Sequence, residues 1–106
     1  MSNNENESVK VLRECIDLQI RKGQDYQNPN SQVKQAMYYP RGISSIHDVV
    51  NAKKLRIDSL LESTANTNFE SLEDSYKDLI NYASFAVSWL RGEIDGQDKT
   101  KDMYNK

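Results

Sequence analysis

The sequence predicts an all-α fold, a small helical bundle of three main helices with a long first connection, completed by oligomerisation. Three observations carry this. Apolar residues recur at three- and four-residue steps in three separate segments, which is helical periodicity. Glycine and proline gather between or after those segments rather than within them. At 106 residues the chain is one domain's length, too small to bury much of its surface alone, and two of its helices have apolar residues on more than one side.

The first helix is expected over 8–22. Val9, Leu12, Ile16 and Ile20 form its main apolar face, Val11, Cys15 and Leu18 a weaker second stripe, and Gly23 supplies the stop. Gly23 to Ser44 reads as an irregular connection with turn chemistry at 24–30 and 38–42, and room for one short helix at 31–38. The second helix is expected over 45–63, capped by Ser44 or Ser45, with Ile46, Val49, Val50, Ile57, Leu60 and Leu61 on its apolar face. Lys53 falls within that face, where a lysine must snorkel to water or find an anion. Arg56 stands at its edge. The third helix, 69–91, has Leu72, Tyr76, Leu79, Ala83, Ala86 and Leu90 in a 4-3-4-3-4 repeat, and its start is marked by Thr67 with Glu70 or Ser71 with Asp74. A flexible N-terminus at 1–7, a helical domain at 8–91 and a polar, flexible tail at 92–106 complete the expected organisation.

Composition narrows the function. A net charge of −2 from 14 basic and 16 acidic residues offers no basic field, so duplex nucleic acid is not an expected partner. No segment has the length and apolarity of a membrane span and the N-terminus has no leader pattern, so the expected location is the cytoplasm. The lone Cys15 excludes an internal disulfide and multi-cysteine zinc sites, and reads as a small core residue. His47, the one histidine, has no nucleophile arrangement around it and reads as a surface residue.

The third helix carries the candidate chemistry. Glu70, Asp74 and Asp78 recur every four residues with Glu73 beside them, and Asp78, Tyr82, Phe85 and Trp89 share a second stripe. Glu70, Glu73 and Asp74 sit near the first turn, where the helix dipole alone welcomes negative charge. Asp78 is too far inside for that, and is expected to pair with Lys53, Arg56 or a metal ion. Oxygen donors alone select a hard cation, ordinarily Mg²⁺ shared with ligand phosphates. Lys53 and Arg56 would then neutralise a phosphorylated ligand, with Tyr26, Tyr82 or Trp89 stacking on a base. The plainer alternatives are a lysine–carboxylate bridge for Lys53 and a packing or subunit interface for Phe85 and Trp89.

Lys-Gly-Gln-Asp-Tyr at 22–26, Lys-Lys-Leu-Arg-Ile at 53–57 and Glu-Ser-Leu-Glu-Asp-Ser-Tyr-Lys-Asp-Leu-Ile-Asn-Tyr-Ala at 70–83 together resemble the nucleotide modification associated domain of bacteriophage proteins. The pattern places Asp25, Tyr26, Lys53, Arg56, Glu70, Asp74, Asp78 and Tyr82 on its positions. The resemblance implies a role in nucleotide or modified-base metabolism, and the acidic helix is similar to those of all-α MazG-like nucleoside triphosphate pyrophosphohydrolases. The first helix offers only Glu14 and Asp17 where such enzymes show an adjacent Glu-Glu pair and a further Glu. Three functions are therefore expected to compete. One is Mg²⁺-dependent hydrolysis of nucleotide phosphates, with Glu70, Asp74 and Asp78 on the metal and Asp25, Tyr26, Lys53, Arg56 and Tyr82 on the ligand. Another is a non-catalytic binder that sequesters a linear or cyclic nucleotide signal used in host anti-phage defence. The last is a homo-oligomerisation or interaction module built on Tyr82, Phe85 and Trp89.

Overall fold

A computed structural model of the chain describes residues 6–26, 30–63 and 69–100, including their side chains except at 24–26, 69 and 70. The fold is all-α: helix α1 spans Glu7–Tyr26, α2 spans Ile43–Glu62 and α3 spans Phe69–Leu90, with a single 3₁₀ turn at Gln35–Tyr38 and no strand among the described residues. At 20 residues α2 is about 30 Å long, whereas the link from Glu62 to Phe69 reaches at most about 25 Å. The two helices therefore run antiparallel as a hairpin, and they form the most extensive helix–helix packing among the described residues. Helix α1 packs on α3 less extensively.

Gly23 does not end α1, which continues through Tyr26. A glycine stops a helix by turning left-handed, and the glycines with positive φ are 42, 92 and 96. Gly23 keeps a helical conformation, which costs only about 1 kcal/mol relative to alanine. The expected Ser44 or Ser45 cap is likewise replaced. Gly42, at φ 60° and ψ −131°, occupies the cap position of α2 with no side-chain cap, and Ser45 Oγ instead accepts the backbone N–H of Arg41 at 2.9 Å. At the start of α3, Thr67 lies outside the described residues, as does the Glu70 side chain. Ser71 is already helical, its carbonyl accepting Ser75 Oγ at 2.8 Å, so Ser71 with Asp74 is not the cap. Within the expected short helix at 31–38, only the last four residues form a turn of 3₁₀ helix.

The larger correction concerns faces. On α1 the strong stripe stays open, with Leu12, Ile16 and Ile20 at 50%, 55% and 58% exposure, while Cys15 of the weaker stripe is buried against α3. The inward row reads Val11, Glu14, Cys15, Leu18, Gln19, Lys22, a helical stripe that mixes apolar and polar residues, with Glu14 and Lys22 exposed at its margins. On α3 the inward face is rotated one residue from the apolar repeat. Ser71, Ser75, Asp78, Tyr82, Phe85 and Trp89 keep the same 4-3-4-3-4 spacing and are buried or half-buried, whereas Tyr76, Ala83, Val87 and Leu90 are exposed. Leu72, Leu79 and Ala86 remain half-buried at its edge. On α2 the expected face holds: Ile46 and Ile57 are buried, and Leu61 at its margin is open.

Residues 91–100 carry more structure than their polar composition suggests. Ile94 is buried, Gln97 Nε2 donates to the Trp89 carbonyl at 2.9 Å, and the Asp95 carbonyl accepts the Ala36 N–H at 2.9 Å. This clip brings Gly96, at φ +84°, so close that a Cβ there would lie 2.5 Å from Lys34 Cβ. No helix among the described residues is long and apolar enough to cross a membrane.

Urea denaturation should separate these contributions. Ile46→Ala is expected to cost about 2–4 kcal/mol by opening a cavity, and Gly96→Ala roughly 1–3 kcal/mol through left-handed strain and the Lys34 contact. Leu55→Ala, at an exposed position, should stay within about 0.5 kcal/mol of the parent chain.

Candidate functional site

Three side chains from three helices meet midway along α3. Asp78 is half-buried because its position belongs to the inward row, and its two carboxylate oxygens face different lysines. Lys22 Nζ of α1 stands 3.5 Å from Oδ1, and Lys53 Nζ of α2 stands 3.5 Å from Oδ2. Lys53 is the lysine set among the apolar residues of α2, and it reaches this anion with its side chain 29% exposed. Its ammonium also lies 5.7 Å from the centroid of the Tyr82 ring, within cation–π range. Tyr82, one turn after Asp78, meets Phe85 edge to face with centroids 5.4 Å apart. The group thus holds two cations, one anion and an aromatic face, with Lys22 largely open to solvent.

Beside it a second polar cluster fastens α1 to α3. Lys77 Nζ lies 2.8 Å from Glu14 Oε1 and 3.0 Å from Glu73 Oε2. Hydrogen bonds to these two carboxylates push the Lys77 ammonium well above the ordinary lysine range. Gln19 Nε2 donates to Asn81 Oδ1 at 3.3 Å and to Ser84 Oγ at 3.1 Å, satisfying an asparagine that is otherwise buried. Burial raises the Cys15 thiol as well, against the opposing charge of Lys77 nearby. A buried thiol of this kind is a packing group.

The expected site residues are partly united. Lys53, Asp78 and Tyr82 come together; Arg56 is exposed and makes no ion pair among the described residues; Asp74 is exposed one turn before Asp78. The side chains of Asp25, Tyr26 and Glu70 lie outside the described residues, although their backbones belong to α1 and α3. Of the carboxylates expected to hold Mg²⁺, Asp74 is open to solvent and Asp78 already faces two ammonium groups. Among the described residues no three acidic, histidine or cysteine side chains gather closely enough to share a metal. The described donors therefore fit a magnesium ion poorly unless both lysines withdraw. Tyr82, Phe85 and Trp89 are each half-buried: Tyr82 lies under Lys53, and Trp89 meets Tyr39 edge to face at 6.3 Å. His47 is exposed, as expected.

Sequence reasoning missed Lys22. Lys22 lies inside the expected 8–22 helix and continues the Val11, Cys15, Leu18 stripe at helical steps, but a lysine near a helix end breaks no local rule that would single it out.

The family described as nucleotide modification associated domain 1 matches this chain over residues 22–90. That stretch begins at Lys22 and includes Lys53, Asp78 and Tyr82. No curated protein and no solved structure matches the chain.

The charge clamp at Lys77 makes a pH prediction. Because the folded state raises this lysine, its contribution is fully present below the ordinary value of 10.5 and is lost as pH climbs past it toward the raised folded value. Thermal melts should show Lys77→Met less stable than the parent chain at neutral pH. The gap should begin to narrow only above that value.

Proposed function

The chain belongs to the nucleotide modification associated domain 1 family, and from that premise we propose that it binds the phosphates of a nucleotide between Lys22 and Lys53, with the base against Tyr82. The observation that carries this reading is the convergence of two lysines from separate helices on one carboxylate beside an aromatic ring. In the free protein Asp78 offsets the repulsion between the ammonium groups and holds them in position. A phosphate carries more negative charge and more acceptor oxygens than one carboxylate, so it competes for both lysines. The Tyr82 ring, backed by Phe85, offers a stacking face that accepts any base.

Binding in this form needs no divalent cation. The metal-dependent reading uses the same carboxylates differently: Asp74 and Asp78, with Glu70, would hold Mg²⁺ and bring charge neutralisation to the phosphates and a polarised water to the reaction. The arrangement of Asp78 under two lysines favours binding through the lysines.

Calorimetric titration with nucleosides and their mono-, di-, tri- and cyclic phosphates, in EDTA and in Mg²⁺, tests it. Affinity should grow with phosphate charge and survive EDTA. Lys22→Met and Lys53→Met should each weaken it about 10- to 100-fold, the usual effect of a lost charge-assisted hydrogen bond, while Asp78→Asn should retain binding. Absence of binding to any nucleotide would overturn the reading. Binding that requires Mg²⁺ and disappears in Asp78→Asn would transfer the role to the carboxylates. Chromatography of the recovered ligand separates a binder, which returns it unaltered, from a hydrolase.

A further inference from the structure

We infer that the open face of α1 is a docking surface for a second copy of this chain, with the two α1 helices packed antiparallel across Ile16. Leu12, Ile16 and Ile20 stand four residues apart on one side of the helix and are each at least half exposed. Their row is the most regular aliphatic stripe on α1, and α3 takes the neighbouring mixed row instead. The hold of α3 on α1 is mostly polar, made by Glu14, Gln19 and Lys22. An exposed aliphatic stripe of this regularity has no role in those contacts and marks an interaction surface.

The charge pattern of the helix selects the occupant. Helix α1 carries four basic and four acidic residues, Lys10, Arg13, Arg21 and Lys22 against Glu7, Glu14, Asp17 and Asp25. A helix that lies on an anionic membrane has an excess of basic residues on its polar side, and α1 has none. Its charges are instead self-complementary. Arg13 and Asp17 are both exposed and lie about 60° and 100° round the axis from Ile16, on the edge away from the buried Cys15. When two identical helices pair antiparallel, equivalent edges meet. With Ile16 on the two-fold axis, Leu12 faces the partner's Ile20, Ile16 faces its own counterpart, and Arg13 comes beside the partner's Asp17 while Asp17 comes beside the partner's Arg13. One helix thus supplies both halves of an isologous contact, aliphatic in the middle and doubly ion-paired along the open edge. In a parallel pair opposite edges would meet, setting Arg13 and Asp17 against the partner's edge at Cys15 and Gln19, which α3 already covers.

The contact uses side chains apart from Asp78, Lys53 and Tyr82, so it stands or falls separately from the nucleotide reading. Sedimentation equilibrium of the full chain should show a dimer or a multiple of dimers at micromolar concentration. Ile16→Glu should raise the dissociation constant by at least about tenfold while leaving the circular dichroism spectrum unchanged, because Ile16 is exposed within the monomer. In a Cys15→Ser background, Ile16→Cys should cross-link to itself on oxidation. Leu12→Cys should not, since its counterpart would lie about 12 Å away along the axis, beyond disulfide reach, but a mixture with Ile20→Cys should give the heterologous cross-link. A chain that stays monomeric, including one that co-sediments with anionic vesicles instead, overturns the inference. So does an association that Ile16→Glu leaves unaltered, or self-cross-linking of Leu12→Cys as readily as Ile16→Cys, which would indicate parallel pairing.

Discussion

Asp78 is the point at which charge from α1 and from α2 reaches α3, and much of the arrangement follows from it. A carboxylate half-buried in a helix face needs cationic partners or water. Here Lys22 and Lys53 supply the former from opposite sides. To reach it, α2 must turn toward α3 a face that includes a lysine among its aliphatic residues, and α1 must present to α3 the row that contains Lys22. The orientation of α1 then leaves its most apolar row facing outward. A single anion therefore accounts for an out-of-place lysine, for the side of α1 that is buried and for the side that is not.

The positions of the helices were legible from periodicity, and their ends fell within a few residues of expectation. Their rotation was not. On α3 two rows have identical spacing and differ by one residue, so periodicity could not choose between them; hydrophobicity favoured the row through Leu72, Tyr76 and Leu79, while the packed row runs through Ser75, Asp78 and Tyr82. On α1 the same criterion favoured Leu12, Ile16 and Ile20. In both helices the decisive residues were polar ones that find partners across the interface, Gln19 on Asn81 and Ser84, Glu14 on Lys77, Lys22 on Asp78. Counting apolar residues alone discards this information. Buried polar groups must be paired, and among the described residues no buried side-chain nitrogen or oxygen is left without a partner.

For the site, the sequence revealed Lys53 as an anomaly and Asp78 as its counterpart, because each breaks a local rule: a lysine on an apolar face, an acid beyond the reach of the helix dipole. Departures from local consistency are where function concentrates. Lys22 broke no such rule, being a lysine near the end of a polar-looking helix, and only the three-dimensional arrangement gives it a role. The resemblance to the nucleotide modification associated domain, in turn, rested on three short motifs, and the fold brings Lys22, Lys53, Asp78 and Tyr82, drawn from all three, to one place.

The unequal way in which the helices are joined also bears on how the chain assembles. Helices α2 and α3 are neighbours in sequence, separated by a short link, and Ile46 and Ile57 on α2 give the pair an aliphatic centre. Forming that hairpin closes a small loop at little entropic cost. Helix α1 docks from more than fifty residues away in sequence, as from Lys22 to Asp78, through contacts that are largely ionic and hydrogen-bonded. The order of events this topology favours is hairpin first and α1 afterwards, which makes α1 the part of the molecule whose attachment ionic strength can loosen while the hairpin stays folded.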